Sequence, residues 1–127
     1  MKFFIVVVIG YLLGSIPHSV LAGKVMKNID IRQYGSGNAG ATNALRVLGV
    51  KPAIAVFIAD VIKGVIAALI GRWIAGDIGA MLAGGSAVIG HDWSIFLNFN
   101  GGKGISTSFG VLLVLFPKIT IILFVVD

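Results

Sequence analysis

The most constraining feature of this chain is a stretch of 21 uncharged residues, Phe3 to Gly23, bounded by Lys2 and Lys24. As one helix rising 1.5 Å per residue, it is long enough to cross the roughly 30 Å hydrocarbon core of a bilayer. A secretory signal peptide shares part of the pattern: Lys2 as n-region, Phe3 to Leu13 as h-region and Val20-Leu21-Ala22 as cleavage site. More apolar blocks follow, however, and no soluble domain does, so a first transmembrane helix is expected. Composition supports this. The 127 residues are 57% hydrophobic and 12% charged, about half the charge of an average soluble domain. There is no cysteine, which excludes a disulfide framework, a thiolate metal site and a cysteine nucleophile.

The second apolar block, Pro52 to Gly71, carries Asp60 and Lys63 near its middle. Charges at that depth are expensive in lipid and should face a bundle interior, where their i, i+3 spacing lets them pair. Pro52 suits the first turn of that helix, where its missing N–H is not needed. After a short connection, Arg72 to Asp77, comes the 13-residue run Ile78 to Gly90. It is about 20 Å of helix, too short to span unless Trp93 to Leu97 extends it. His91, Asp92 and Trp93 are expected to mark its interfacial end. The blocks Gly104 to Phe116 and Ile119 to Val126 follow, separated by Pro117-Lys118. The expected fold is therefore all-α: a polytopic transmembrane helical bundle of about four spans plus the start of a fifth, forming a single integral membrane domain over 1–127. With the N-terminus outside, six basic residues (Lys24, Lys27, Arg32, Arg46, Lys51, Lys103) fall in inner loops and three (Lys2, Arg72, Lys118) in outer ones. The positive-inside rule selects that orientation and makes both glycine-rich loops cytoplasmic.

The first of these loops begins Gly35-Ser36-Gly37-Asn38-Ala39-Gly40 and runs into a helix expected to start near Ala39 and to be capped by Gly49. It satisfies G-x-G-x-x-G, with Asp60 20 residues beyond Gly40. A dinucleotide site would need a strand before the loop and another carrying the acid, whereas here a basic stretch precedes it and Asp60 lies in an apolar block. What remains is local chemistry. Successive backbone N–H groups of Gly35 to Gly40 can form a nest, and the helix start adds its positive end, so an anion is the natural ligand. At 100° per residue, Thr42, Asn43 and Arg46 share one sector and Ala41, Ala44, Leu45 and Leu48 the other. The second loop repeats the design: Gly101-Gly102-Lys103-Gly104 precedes a helix with Ser106, Thr107 and Ser108 in its first turn. It is not a Walker A loop, because Leu97 and Gly104 occupy the places of its first Gly and its Ser or Thr.

Net charge is +5, which favours anionic partners. Nucleic acid does not fit, since the basic residues lie between apolar blocks and not along one stripe. His18 is expected to be structural and His91 an interfacial hydrogen-bonding residue. A Ser36–His91–Asp92 relay lacks a nucleophile elbow, and no two His or carboxylates have metal-ligand spacing on a shared face.

At these stretches the chain resembles the bacterial acyl-phosphate-dependent glycerol-3-phosphate acyltransferases, integral membrane enzymes of phospholipid synthesis. The resemblance rests on GSGNAGATNALRVLG (Gly35 to Gly49), on the GH…F…F.GGKGIST stretch (Gly90 to Thr107), on YLLGSIP (Tyr11 to Pro17) and on Asp60…Lys63-Gly64. It implies transfer of a fatty acyl group from acyl phosphate to the 1-hydroxyl of glycerol 3-phosphate, giving lysophosphatidate and phosphate. It implies no cofactor and no metal, with acyl phosphate, glycerol 3-phosphate and membrane lipid as partners and the bacterial inner membrane as location. The HxxxxD motif of the thioester-using acyltransferases is absent after both His18 and His91. The implied catalytic residues are Ser36, Arg46, Lys103 and His91, with a substrate phosphate as an alternative base to His91. The implied binding residues are Gly35, Gly37, Asn38, Gly40, Thr42, Asn43, Gly101, Gly102, Gly104 and Thr107. Two departures stand out. Ser94 replaces the usual Pro of the second motif, and the family's third cytoplasmic motif has no counterpart before Asp127, so the chain is expected to be truncated and to have little activity alone. The competing readings are a small membrane transporter or channel for an anionic solute, an inactive paralogue and a membrane scaffold.

Overall fold

The computed structural model describes residues 1–126 apart from Asn100 and Lys103, and all regular structure among them is helical. The chain forms α1 (Lys2–Gly14), α2 (His18–Lys27), α3 (Ala41–Leu48), α4 (Val50–Asp92), α5 (Ile105–Leu115) and α6 (Pro117–Val126), with short 3₁₀ turns at Ile31–Gln33 and Ile95–Leu97. Two stretches, Lys2–Lys27 and Val50–Leu97, are long and apolar enough to cross a membrane, and Ile105–Leu115 is a shorter apolar helix.

The expected continuous helix Phe3 to Gly23 is broken between α1 and α2. Pro17 has no N–H to donate and disfavours a helical residue before it. Inside lipid the carbonyls freed by such a break need other partners, and side chains supply them. Ser94 Oγ donates to the Ser15 carbonyl at 2.5 Å, and Lys63 Nζ to the Ile16 carbonyl at 3.0 Å. Ser94, where the resemblance leads one to expect a proline, thus acts as a donor that a proline could not be.

The run α4 is two helical limbs, 50–74 and 77–92, joined by a turn at Ala75 and Gly76, where Gly76 takes φ +71. The connection expected at Arg72 to Asp77 shrinks to those two residues. The limbs fold back on each other, since a Cβ at Gly71 would strike the Gly79 carbonyl. The second limb reaches Asp92, so His91, expected at an interface, is a buried helical residue. Small residues let the helices approach closely, as membrane bundles require. Gly10 and Gly14 of α1 lie on the Ala83 and Ala87 backbone; Gly64 of α4 lies on Thr107 of α5, and Gly110 of α5 on Val61. The bundle is therefore α1, the two limbs of α4, and α5, with α6 packed on α5.

A separate apolar cluster holds α2, the Ile31 turn and α3 against the start of α4, through Val20, Ile31, Ala44, Leu48, Ala53 and Val56. Lys27 Nζ donates to the Val47 carbonyl at 2.8 Å and so secures the end of α3, while Gly49 caps it with φ +103. These contacts fix the first glycine-rich loop above the bundle.

Candidate functional site

The first loop is built around one side chain. Asn43 is 1% exposed; its Oδ1 accepts the Ser36 N–H at 2.9 Å. Its Nδ2 is within 3.0–3.1 Å of the carbonyls of Ile31, Tyr34 and Asn38, so two hydrogens serve three acceptors. The amide orientation is fixed by this pattern, because the reverse would oppose N–H to N–H. Asn43 therefore belongs to the inner face of α3 with Ala44 and Leu48, whereas Leu45 is exposed. That corrects the expected partition of the helix, in which Asn43 shared the polar sector with Thr42 and Arg46. The reason is that a carboxamide satisfying four backbone groups is stable in an interior that a lone polar group would not tolerate.

The expected nest of free amides is corrected in part, because several of its N–H groups are already engaged within the loop. The N–H groups of Ser36, Gly37 and Asn38 donate to Asn43 Oδ1, the Tyr34 carbonyl and Ser36 Oγ. In the second loop, Gly101 N–H and Gly102 N–H donate to the Asp92 and His91 carbonyls at 2.9 and 3.0 Å. They finish the end of α4, whose last carbonyls have no partner within the helix. What faces outward instead is the start of two helices. Gly40 and Gly104 are the N-caps of α3 and α5, and neither cap uses a side chain. The first N–H groups of each helix lack intrahelical acceptors.

These two helix starts border one cavity of about 290 Å³. Ser36, Asn38, Gly40, Thr42, Asn43 and Arg46 line it from the loop and α3; Phe57, Asp60 and His91 from α4; and Gly104, Ile105 and Ser106 from α5. Of the residues expected at the site, this cavity gathers Ser36, Asn38, Gly40, Thr42, Asn43, Arg46, His91 and Gly104. Gly37 and Gly101 line an adjoining open groove that shares Ser36 and Asn38, and Gly35 a third beside Lys27 and Arg46. Gly102 sits in a small void with Lys63 and His91. Thr107 is fully buried on the α4–α5 seam, with no hydrogen-bond partner for its hydroxyl among the described residues. Lys103 lies outside the described residues.

Sequence reasoning placed Asp60 with Lys63 as an interior pair, and the two are 3.4 Å apart. It did not place Asp60 at the cavity, nor His18 on Asp60, where Nδ1 meets Oδ1 at 3.0 Å. An ionisable residue in the middle of an apolar span was the available signal, since such residues mark functional interiors. At the mouth of the adjoining groove, Arg32 clasps Asp30 (2.8 and 3.0 Å) and reaches the Leu97 carbonyl at 3.4 Å. The Arg32 guanidinium, through its hydrogen bonds, holds the Asp30 carboxyl below its ordinary range.

This is a membrane-type helical bundle carrying a polar cavity where the N-terminal ends of two helices meet. Residues 4–126 match the family model described as glycerol-3-phosphate acyltransferase, and the chain belongs to that family. It is 56% identical to the glycerol-3-phosphate acyltransferase of Thermoanaerobacter sp. (strain X514), over 91% of this chain and 58% of that protein. It is 46% identical to the one from Chlorobaculum tepidum, over 92% of this chain and 56% of that protein. Its fold matches the crystal structure of PlsY (YgiH), an integral membrane glycerol 3-phosphate acyltransferase, in the glycerol 3-phosphate form. That match has a TM-score of 0.90 at 38% identity and covers 98% of this chain and 63% of that one. The chain thus spans a little over half the length of the curated relatives it matches.

Proposed function

We propose that this chain, acting as one membrane domain, carries the glycerol-3-phosphate acyltransferase site, with acyl phosphate as the donor. The observation that carries the reading is the single cavity at which the α3 and α5 N-termini meet Arg46 and Ser36. Helix starts favour negative charge and aim N–H groups at it, and Arg46 adds a fixed cation suited to two phosphate oxygens. Both substrates of this reaction carry phosphate. The cavity is bordered by Phe57 and Ile105, 39% and 72% exposed, so an acyl tail can leave it toward lipid while the headgroup stays among polar groups.

The mixed anhydride of acyl phosphate is already activated, so the site has to position and neutralise more than to form a covalent intermediate. The glycerol 3-phosphate 1-hydroxyl attacks the acyl carbonyl carbon, the bond from that carbon to the phosphate oxygen breaks, and phosphate departs. The hydroxyl proton passes to a base, for which the notable candidates are a phosphate oxygen and His91. In this reading Arg46 and Lys103 hold phosphates, Ser36 polarises the carbonyl or the leaving group, and Thr42, Asn38 and Ser106 orient the headgroups. Asn43, Gly101 and Gly102 shape the walls. The membrane is the bacterial plasma membrane, with the N-terminus outside and both loops cytoplasmic, as the basic residues suggest.

The test is acyl transfer to labelled glycerol 3-phosphate in proteoliposomes that hold this sequence within a full-length family protein, offered acyl phosphate or acyl-CoA. Lysophosphatidate should form from acyl phosphate only. Arg46→Ala is expected to lower the rate at least 100-fold, in the range for loss of a positioned transition-state charge partner; a full rate would sink the site assignment. Solute flux without chemical change would favour the transporter reading instead.

A further inference from the structure

Four ionisable side chains meet where α2 leaves the Pro17 break and the two limbs of α4 lie side by side: His18, Asp60, Lys63 and His91. Three of them are at least nine-tenths buried: Asp60 at 1%, Lys63 at 4% and His91 at 8% exposed. Lys63 Nζ has three acceptors around it: the Ile16 carbonyl at 3.0 Å, His91 Nδ1 at 2.7 Å and Asp60 Oδ1 at 3.4 Å. An ammonium has three hydrogens and no lone pair, which matches that set. The Asp60 carboxylate, whose Oδ1 also meets His18 Nδ1 at 3.0 Å, supplies the counter-charge that an ammonium needs in an apolar interior.

With Nδ1 accepting from Lys63, a neutral imidazole carries its one hydrogen on Nε2. We propose that Lys63 is a positioning residue that fixes His91 as the Nε2–H tautomer, so that the ring offers the site a hydrogen-bond donor and not a base. His91 is among the residues that line the cavity, and with Gly102 it also lines the small void next to it. Nε2 lies beside Gly102, where a Cβ would come within 2.5 Å of it and 2.8 Å of the Ala39 carbonyl. A glycine at 102 therefore leaves the N–H room, and among the described residues Nε2 has no hydrogen-bond partner. The acceptor such a donor suits is a phosphoryl or acyl carbonyl oxygen. The identity of that oxygen rests on the acyl-transfer reading above, whereas the tautomer does not. On that reading His91 has no lone pair to offer the attacking hydroxyl, and the proton goes to a phosphate oxygen.

The experiment is solid-state NMR of the full chain in bilayers, with ¹⁵N in the histidine rings and lysine Nζ, and with His91 assigned by its loss in His91→Gln. Expected are a proton on Nε2 alone and a through-space ¹⁵N–¹⁵N contact between Lys63 Nζ and His91 Nδ1. A proton on Nδ1, a proton on both nitrogens, or absence of that contact overturns the proposal in the native chain, with no variant needed. Lys63→Met should release the ring to a tautomer mixture and Lys63→Arg should restore Nε2–H; a folded Lys63→Met chain that keeps pure Nε2–H also overturns it. Adding glycerol 3-phosphate or inorganic phosphate should shift the Nε2 resonance without moving the proton. A resonance indifferent to both ligands would break the acyl-transfer assignment of the cavity while the Lys63 inference stands.

Discussion

Gly35 to Gly40 is held from within, by a buried carboxamide that bonds four backbone groups; Gly101 and Gly102 are held from one side, by the last carbonyls of α4. The glycines differ accordingly. Gly35 and Gly37 have φ of +57 and +77, a region where other residues are strained, so they serve the path of the chain. Gly101 and Gly102 have no positive φ, but a Cβ on either would meet His91, so they serve close approach. In both segments several of the amides are used for holding the loop: those of Ser36, Gly37 and Asn38 in the first, and of Gly101 and Gly102 in the second. The proposed phosphate contacts consequently fall to side chains and to the starts of α3 and α5, and the glycine pattern specifies the shape of the walls.

The strongest way to break this contrast is Asn43→Leu. It removes the partner of one N–H and three carbonyls, and unsatisfied buried groups cost about 1–3 kcal/mol each. A loss of at least about 3 kcal/mol is expected, seen as a lower thermal midpoint in detergent and as rapid proteolysis near Tyr34. The α1–α4 seam should remain protected from hydrogen exchange. A loss below about 1 kcal/mol would mean that Asn43 does not organise the loop.

Next in size is Gly101→Ala, whose Cβ meets the His91 carbonyl, an atom of a helical backbone that cannot swing away. Overpacking of this kind costs about 1–3 kcal/mol, and the damage should reach the end of α4. Gly37→Ala instead meets the Arg32 carbonyl at 3.1 Å with φ +77, and the left-handed backbone costs about 1–2 kcal/mol. Its effect should stay within residues 32–40 by hydrogen exchange. Equal and equally widespread damage from both substitutions would erase the distinction between path and approach.

Much of this was legible in the sequence. The apolar blocks gave the helical membrane class, the Asp60–Lys63 spacing gave their pairing, and the loop motifs gave most of the cavity's lining. The rest depends on long-range partners that periodicity cannot express. Asn43 sits 100° from Thr42 on the helical wheel, and only the Ile31, Tyr34 and Asn38 carbonyls decide that it turns inward. The break at Pro17, which the expected single helix did not contain, depends for its tolerance on Ser94 and Lys63, 77 and 46 residues further along. Gly101 reads as an anion nest until the end of α4, which claims its N–H, is beside it.

The smallest expected effect joins the two segments. Asp30 accepts the Arg32 backbone N–H at 3.0 Å and its guanidinium at 2.8 and 3.0 Å, and Arg32 Nη1 reaches the Leu97 carbonyl at 3.4 Å. The clasp therefore ties the loop before Gly35 to the turn before Gly101. The guanidinium lowers the Asp30 carboxyl below its ordinary range, so the folded state favours the charged form. The stabilisation is fully present above the unfolded-chain value and is lost as pH falls through the lower folded-state value. Both side chains are about a quarter exposed, 29% for Arg32 and 24% for Asp30, and water screens such a pair to less than about 1 kcal/mol. Asp30→Asn should therefore lower the thermal midpoint by only a few degrees at neutral pH, with no difference from the native chain once the pH is acid enough to protonate Asp30. High salt should narrow the neutral-pH gap as well. A gap that persists unchanged in acid would mean that the charge of Asp30 does not carry the effect, and that the Asp30–Arg32 ion pair does not hold the two glycine segments together.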